Sequence, residues 1–279
     1  MAGGAAGGVS RSRSPLTVVS YNVRAGIGPG PFPPAWWRRI DDSRLRRMSD
    51  FIALAGADVV ALQEVGLASV EALAVDQPAF FADLTGLEVR YAAVSAYPLV
   101  EPDSRRVVGA TLWGNVILSR HPIEAATTHA LPVATDDDPT DPVDTEPRCA
   151  LACEIATPDG RLTFMSTHLA YLGSRARRLQ ADRLAEIVDA TGGPLVLAGD
   201  LNAAVERPEL RALTTILDDG FASVGIPVGD ARRESCGVDR IDHVLARGFQ
   251  FTECQVAREA GDLSDHWPVI ARLRFADPA

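Results

Sequence analysis

Apolar runs of strand length, broken by glycine, proline and asparagine, recur along the chain. From residue 16 the text reads LTVVSYNV, a β-rich run followed by a Gly/Pro stretch at 26–34. Val59, Val60, Ala61 and Leu62 form a buried strand pattern that runs into Gln63 and Glu64. Residues 115–119 (NVILS) repeat that pattern, and Pro122 limits it. Runs at 149–156 and 162–166 flank Pro158-Asp159-Gly160, which predicts a β-hairpin. Further strands are expected at 194–198, 241–246 and 269–275.

Between these runs the period changes. Leu45, Met48, Ile52 and Ala55 recur at helical spacing, with Gly56 placed to stop the helix. A second helix is predicted over 174–190, with Ala176, Leu179, Leu184, Ile187 and Val188 on one half of its wheel. Strands and helices interleave with hairpins rather than in strict βαβ alternation, which predicts two packed sheets with helices outside. There is no internal sequence repeat.

Composition narrows the functions available. The chain has 279 residues, 47% of them hydrophobic, enough for a large core, and no run reaches the length of a membrane-spanning helix. All 27 basic residues are arginine, so lysine chemistry is excluded, and 37 acidic residues bring the net charge to −10. That balance argues against a broad basic face for nucleic acid, although a local basic groove remains compatible with it. Cys149, Cys153, Cys236 and Cys254 have neither zinc-site spacing nor a disulfide pattern. Reduced thiols and a cytoplasmic location are expected. Residues 1–15 read as a flexible arm with no signal-peptide core, and 133–147 as an acidic, mobile surface loop.

Asn22, Glu64, His168, Asp200, Asn202, Asp242 and His266 each fall at or just past the C-terminal end of an apolar run. Polar residues so placed gather at one sheet edge, where sites form. Glu64, Asp200, Asp242 and Asp265 supply hard oxygens suited to Mg²⁺ or Mn²⁺. His168 and His266 carry protons that move near neutral pH. Carboxylate-held cation plus histidine is equipment for phosphoester hydrolysis.

The segments SYNV, ALQEV, GNVILSRHPI, STHL, LAGDLNA, RIDHV and LSDHWPV occur in that order. The series resembles the endonuclease/exonuclease/phosphatase superfamily, which includes pancreatic deoxyribonuclease, apurinic endonucleases, inositol polyphosphate 5-phosphatases and bacterial sphingomyelinases. The resemblance covers about residues 16–275. It implies a four-layer α/β-β/α sandwich of two mainly antiparallel sheets flanked by helices, one domain over 16–276. It further implies Glu64 as principal metal ligand, with Asn22 and Asp265 completing the metal site. Asp200 and Asn202 would position the attacking water and hold phosphate, His266 would be general base or phosphate donor, and Asp242 would orient it. His168 would donate to the phosphate, and Arg148 is a candidate phosphate contact.

Two departures stand out. Arg24 occupies the place where apurinic endonucleases carry a second acidic metal residue, which argues against abasic-site repair and a symmetric two-metal site. Deoxyribonucleases pair the histidine matching His168 with a glutamate, and the GNVILS segment supplies none. His121, His129 and His243 read as structural or exposed, and Asp239 as a turn residue. Trp36-Trp37-Arg38-Arg39 is expected to pack a helix onto a sheet edge, ahead of a base-stacking or lipid-interface role.

The expected function is Mg²⁺-dependent hydrolysis of a phosphoester in a small molecule or lipid head group, with Mn²⁺ as the alternative cation and a monomeric chain. An Mg²⁺-dependent nuclease acting on nucleic acid is the alternative. A catalytically inactive binding protein on the same fold is the third reading.

Overall fold

The computed structural model describes residues 14–31, 35–70, 73–135 and 140–277. The first half of the chain runs β1 (Leu16–Asn22), α1 (Asp42–Leu54), β2 (Val59–Val70), β3 (Leu73–Asp76) and α2 (Gln77–Thr85). It continues through β4 (Glu88–Val100), β5 (Val107–Ser119), β6 (Ile123–Leu131), β7 (Arg148–Thr157) and β8 (Gly160–His168). Then come α3 (Ser174–Ala190), β9 (Leu195–Asp200), α4 (Arg211–Ile216), β10 (Asp218–Asp219) and α5 (Gly220–Ser223). The chain closes with β11 (Asp242–Arg247), β12 (Phe249–Val256) and β13 (Val269–Phe275).

Two sheets result. The first has the order β12-β13-β1-β2-β5-β4, with β3 paired to the far end of β2. The second has the order β10-β11-β9-β8-β7-β6. Each is antiparallel except for one central parallel pair, β1 with β2 and β8 with β9. Those are the pairs joined by α1 and α3, because a parallel connection must cross over and a helix is the compact way to do so. The helices end as their sequences dictate: Asp41 caps α1 by accepting from the Ser43 N–H, and Gly56 takes the left-handed turn after it.

The layers follow from which faces are apolar. Val18, Val59, Ala61 and Ile117 of the first sheet meet Leu151, Phe164, Val196 and Val244 of the second in a shared core. The outer face of the first sheet buries Val19, Tyr21 and Val60 under Leu45, Met48 and Ile52 of α1. The outer face of the second buries Met165, Leu195 and Leu197 under Ala181, Leu184 and Val188 of α3. The strands at the sheet centres are buried on both faces, which is why they read as continuous apolar runs rather than alternating ones. This is the four-layer sandwich expected. No helix among the described residues is long and apolar enough to cross a membrane.

Several elements differ from the sequence reading. Leu179 is 41% exposed, so the buried stripe of α3 uses Gln180 and Ala181 instead. The strand expected at 115–119 begins at Val107, and β4 and β6 went unpredicted. Both are edge strands with few buried positions, which weakens the alternation a sequence displays. The acidic segment is not simply a mobile loop where it is described. Asp141 accepts from the backbone N–H groups of Ser174 and Arg175 and so caps α3 from across the chain, while Asp144 accepts from Tyr171. Residues 136–139, and residues 1–13 of the expected arm, lie outside the described residues.

Gly199 tests the packing beside Asp200. A Cβ there would stand 2.0 Å from the Thr167 carbonyl oxygen, whereas one at Gly192 would meet nothing. Gly199→Ala should therefore lose at least about 1–3 kcal/mol in urea denaturation. Gly192→Ala should stay within about 0.5 kcal/mol of wild type; equal losses would show that β8 and β9 are not locked together as described.

Candidate active site

β8, β9 and β11 bring their polar ends into register. His168 pairs with Asp200 across the parallel β8–β9 ladder, and Asp242 pairs with Asp200 across the antiparallel β11–β9 ladder. Asp242 therefore opens its strand rather than following one, and His266 precedes β13. Both depart from the expected C-terminal placement, and strand reversal returns them to the same edge. Across the gap, Asn22 ends β1 in the first sheet.

Asn22 is fully buried, and its amide joins the two sheets. Nδ2 donates to Glu64 Oε1 at 2.9 Å and to Asp200 Oδ2 at 3.1 Å, while Oδ1 accepts from the Arg24 N–H. Glu64 is not at a strand end either. It sits inside β2 where the register to β5 jumps between Leu62 and Val65, a bulge that turns its side chain toward the site. Its φ of +54° is in the left-handed region, as are those of Arg24 (+47°) and Asn202 (+51°). Non-glycine residues held there cost of order 1–3 kcal/mol each and persist only where surrounding contacts enforce them. At Asn202 those contacts are its N–H to Asp200 Oδ1 and its side-chain amide to the Leu169 carbonyl.

His266 Nδ1 lies 2.7 Å from Asp242 Oδ2, and its Nε2 is 3.7 Å from Asp200 Oδ2. His168 Nε2 approaches the same Asp200 oxygen at 3.5 Å. Asp200 is thus the carboxyl group nearest the His168 ring among the ion pairs of the described residues. Asn115, from the GNVILS segment, instead donates to the Cys149 carbonyl. Arg148 is buried and held by Asp144 and Glu146, each at 3.0 Å. Asp265 has both oxygens engaged, one by Ser264 at 3.2 Å and one by Arg24 Nε at 3.1 Å.

Burial raises the carboxyl groups of Glu64 and Asp200, and the neighbouring Asp242 charge adds to the effect on Asp200. Burial, assisted by Arg148 and His266, holds His168 well below its ordinary value. For His266 burial works in the same downward sense, but the Asp242 carboxylate overrides it and holds the imidazole well above its ordinary value.

These residues suit a divalent cation. Buried carboxylates that are costly to ionise are the expected state of hard-oxygen ligands without their cation. One ligand atom each from Asp200, Asp242 and His266 lies within 4.8 Å of the others. His266 Nδ1 engages Asp242 Oδ2 and leaves Asp242 Oδ1 buried without a partner. Glu64 and Asp200 offer further oxygens, while Arg24 competes for Asp265.

The cluster forms the floor of a cavity of about 660 Å³, also lined by Arg24, Asn202, Arg148, Trp36, Tyr97 and Trp113. Sequence reasoning placed most of the floor but not Tyr97, Trp113, Tyr171 or Cys236, and it read Asp239 as a turn residue only. Trp113 directly precedes the motif glycine Gly114, a local signal that passed unused. Trp36 and Trp37 do pack on a sheet, against Ala68, Leu99 and Val108, but from a short 3-10 turn rather than from α1. His243 is structural as expected, its Nε2 against the Ala203 carbonyl.

The model of the endonuclease/exonuclease/phosphatase family matches residues 19–266. No curated protein matches this sequence. A solved endonuclease/exonuclease/phosphatase from Beutenbergia cavernae is 24% identical, with a TM-score of 0.70 over 95% of this chain and 72% of that one. A mannosyl-6-phosphatase from Bacteroides thetaiotaomicron is 21% identical, with a TM-score of 0.65 over 93% of this chain and all of that one. The human nocturnin catalytic domain, solved with bound sulfate, is 14% identical, with a TM-score of 0.65 over 94% of each chain.

The direction of each shift sets the pH response. Raised carboxyls and a raised His266 make the folded state bind protons that the unfolded state releases, so stability rises as pH falls through their raised range. His168 and His243, held neutral, oppose further acidification below their ordinary 6.5. In EDTA, Tm should climb as pH falls through about 7, where Asp200 takes up its proton in the folded state, and Asp200→Asn should flatten that slope. A flat wild-type profile would contradict a charge-strained cluster.

Proposed function

The chain belongs to the endonuclease/exonuclease/phosphatase family, and from that premise we propose that it is a divalent-metal-dependent hydrolase of phosphoesters in a small molecule or lipid head group. The observation that carries this reading is the Asp200-centred cluster of carboxyl groups and histidines at an open cavity.

Glu64 and Asp200, with Asp265, would hold Mg²⁺ or Mn²⁺, which supplies charge neutralisation on the phosphoryl oxygens and makes a bound water more acidic. His266 accepts the water's proton at Nε2, and Asp242 at Nδ1 stabilises the imidazolium that forms. Asp200, 3.7 Å from Nε2, orients that water. Asn22 fixes the spacing of the two carboxylates rather than lending its oxygen, which the Arg24 N–H occupies. His168, held neutral, and Arg148 receive the phosphate oxygens, and Asn202, which also lines the cavity, helps position the substrate.

Charge favours a small substrate over a nucleic acid. Among the cavity-lining residues the five carboxyl groups of Glu64, Glu146, Asp200, Asp239 and Asp265 outnumber the two arginines, Arg24 and Arg148, each of which is ion-paired, and His266, which is paired to Asp242. A polynucleotide track needs several cations facing its phosphates.

His266→Ala should lower kcat/KM by about 10²–10⁴-fold with Mg²⁺ present, and EDTA should abolish wild-type turnover reversibly. Asp242→Asn removes the charge that raises His266, so the acid limb of the pH–rate profile should move to lower pH while the maximal rate falls. An unmoved limb would remove His266 as the titrating base. Nicking of supercoiled plasmid that is sensitive to EDTA and to His266→Ala, with sugar phosphates and phosphocholine diesters left intact, would replace this reading with the nuclease.

A further inference from the structure

β2, β4 and β5 have 12, 13 and 13 residues, about twice the usual strand length. Their ladders shift register where they pass the site, between Leu62 and Val65 and between Ala93 and Ser95. Beyond those bulges they continue past the catalytic edge and become one wall of the cavity. The strand side chains there are uncharged: Val94, Tyr97, Leu99, Thr111 and Trp113 line it, with Trp36 beside Trp113, and the Tyr97 phenol meets Glu146 at its polar margin. Tyr171, 69% exposed, also lines the cavity.

The rings are arranged as a corner. Trp36 and Trp113 meet edge to face, with centroids 5.1 Å apart and planes at 81°. Aromatic rings favour that arrangement, and two perpendicular rings offer a third flat ring one face and one edge at once. Leu99 joins Trp36 and Trp37 in a small cluster of its own, which fixes the far side of the corner independently of the main cores. Tyr97 is 41% exposed. A cavity of 660 Å³ with one polar floor and one aromatic wall is dimensioned for a single small ligand, since such sites span about 300–1,000 Å³.

We propose that this wall is a specificity subsite for a flat aromatic ring in the esterified group of the substrate, with the phosphate on the Asp200–His266 floor. The substrate class is then a phosphoester carrying one phosphate and one aromatic ring within a few bonds of it. Polyphosphorylated ligands are disfavoured by the carboxylates around the floor. The aliphatic share of the wall, Val94 and Leu99, is too short to line the path of an acyl chain. This inference rests on the phosphoesterase reading for its polar half and on the corner geometry for its aromatic half.

The test pairs benzyl phosphate with cyclohexylmethyl phosphate, which differ only in ring aromaticity, each as monoester and as methyl diester. Calorimetric binding of the matching benzyl- and cyclohexylmethylphosphonates, with Mg²⁺, reads the subsite without turnover. Wild type should favour the benzyl compounds by about two- to tenfold in affinity and in kcat/KM, the range an aromatic pair contributes beyond burial. Trp113→Leu keeps an apolar side chain and should bring that ratio near one, with little change for the cyclohexyl compounds. Tyr97→Leu, at a more exposed position, is the second variant, and a thermal melt confirms that each folds. A wild-type ratio near one, or a ratio that both variants retain, overturns the subsite. Tighter binding of octylphosphonate than benzylphosphonate overturns it in favour of an aliphatic chain. Benzyl-selective binding without hydrolysis of any ester keeps the subsite and sinks the enzymatic reading; hydrolysis without ring preference does the reverse.

Discussion

One side-chain amide holds the site together. Asn22 Nδ2 donates to Glu64 from its own sheet and to Asp200 from the other, so a single nitrogen sets the separation of a half-buried and a buried carboxyl group. An amide can do this because it offers two N–H groups and no charge. A cation of fixed charge there would neutralise the pair and remove the reason for it to take up an ion. The two-sheet architecture serves the same end, because each sheet delivers one carboxylate to a common edge and the shared core keeps the edges in place.

Strain concentrates where that geometry is imposed. Arg24, Glu64 and Asn202 all adopt left-handed backbone, and each is held by bonds that converge on the cluster. The bulge at Glu64 also divides β2 in two. Its first half is core and its second half belongs to the cavity wall, so the same irregularity aims the carboxylate and begins the aromatic side of the cavity. On the other side, Arg24 engages Asp265 and Arg148 is shared by Asp144 and Glu146, which leaves the cavity acidic overall despite its two guanidiniums.

Much of this was legible in sequence. The central strands announce themselves because both faces are buried, and α1 and α3 because their apolar stripes are regular. Asn22, Glu64, His168, Asp200, Asp242 and His266 were recognisable from their motifs, and the fold brings them together, Glu64 from a bulge inside β2 rather than from a strand end. What sequence could not show is long-range or conformational. Nothing in Gln63-Glu64-Val65 signals a left-handed residue, since glycine is absent. The approach of His168 to Asp200 depends on a parallel ladder between strands separated by a whole helix. The aromatic wall was missed because its edge strand β4 has too few buried positions to alternate clearly, and Tyr97 and Trp113 then look like ordinary strand residues. The acidic segment looked like a solvated loop because the N–H groups of α3 that anchor it are distant in the chain.

The central claim is that the carboxylates gathered by Asn22 form a cation site. It is tested most directly by calorimetric titration of Mg²⁺ and Mn²⁺ near pH 7 in two buffers of different ionisation enthalpy, which counts the protons released on binding. Raised carboxyls give up protons to a cation, so the account predicts saturable binding with release of up to about one proton, and loss of that release in Asp200→Asn. Binding without proton release, or no binding at all, would contradict it.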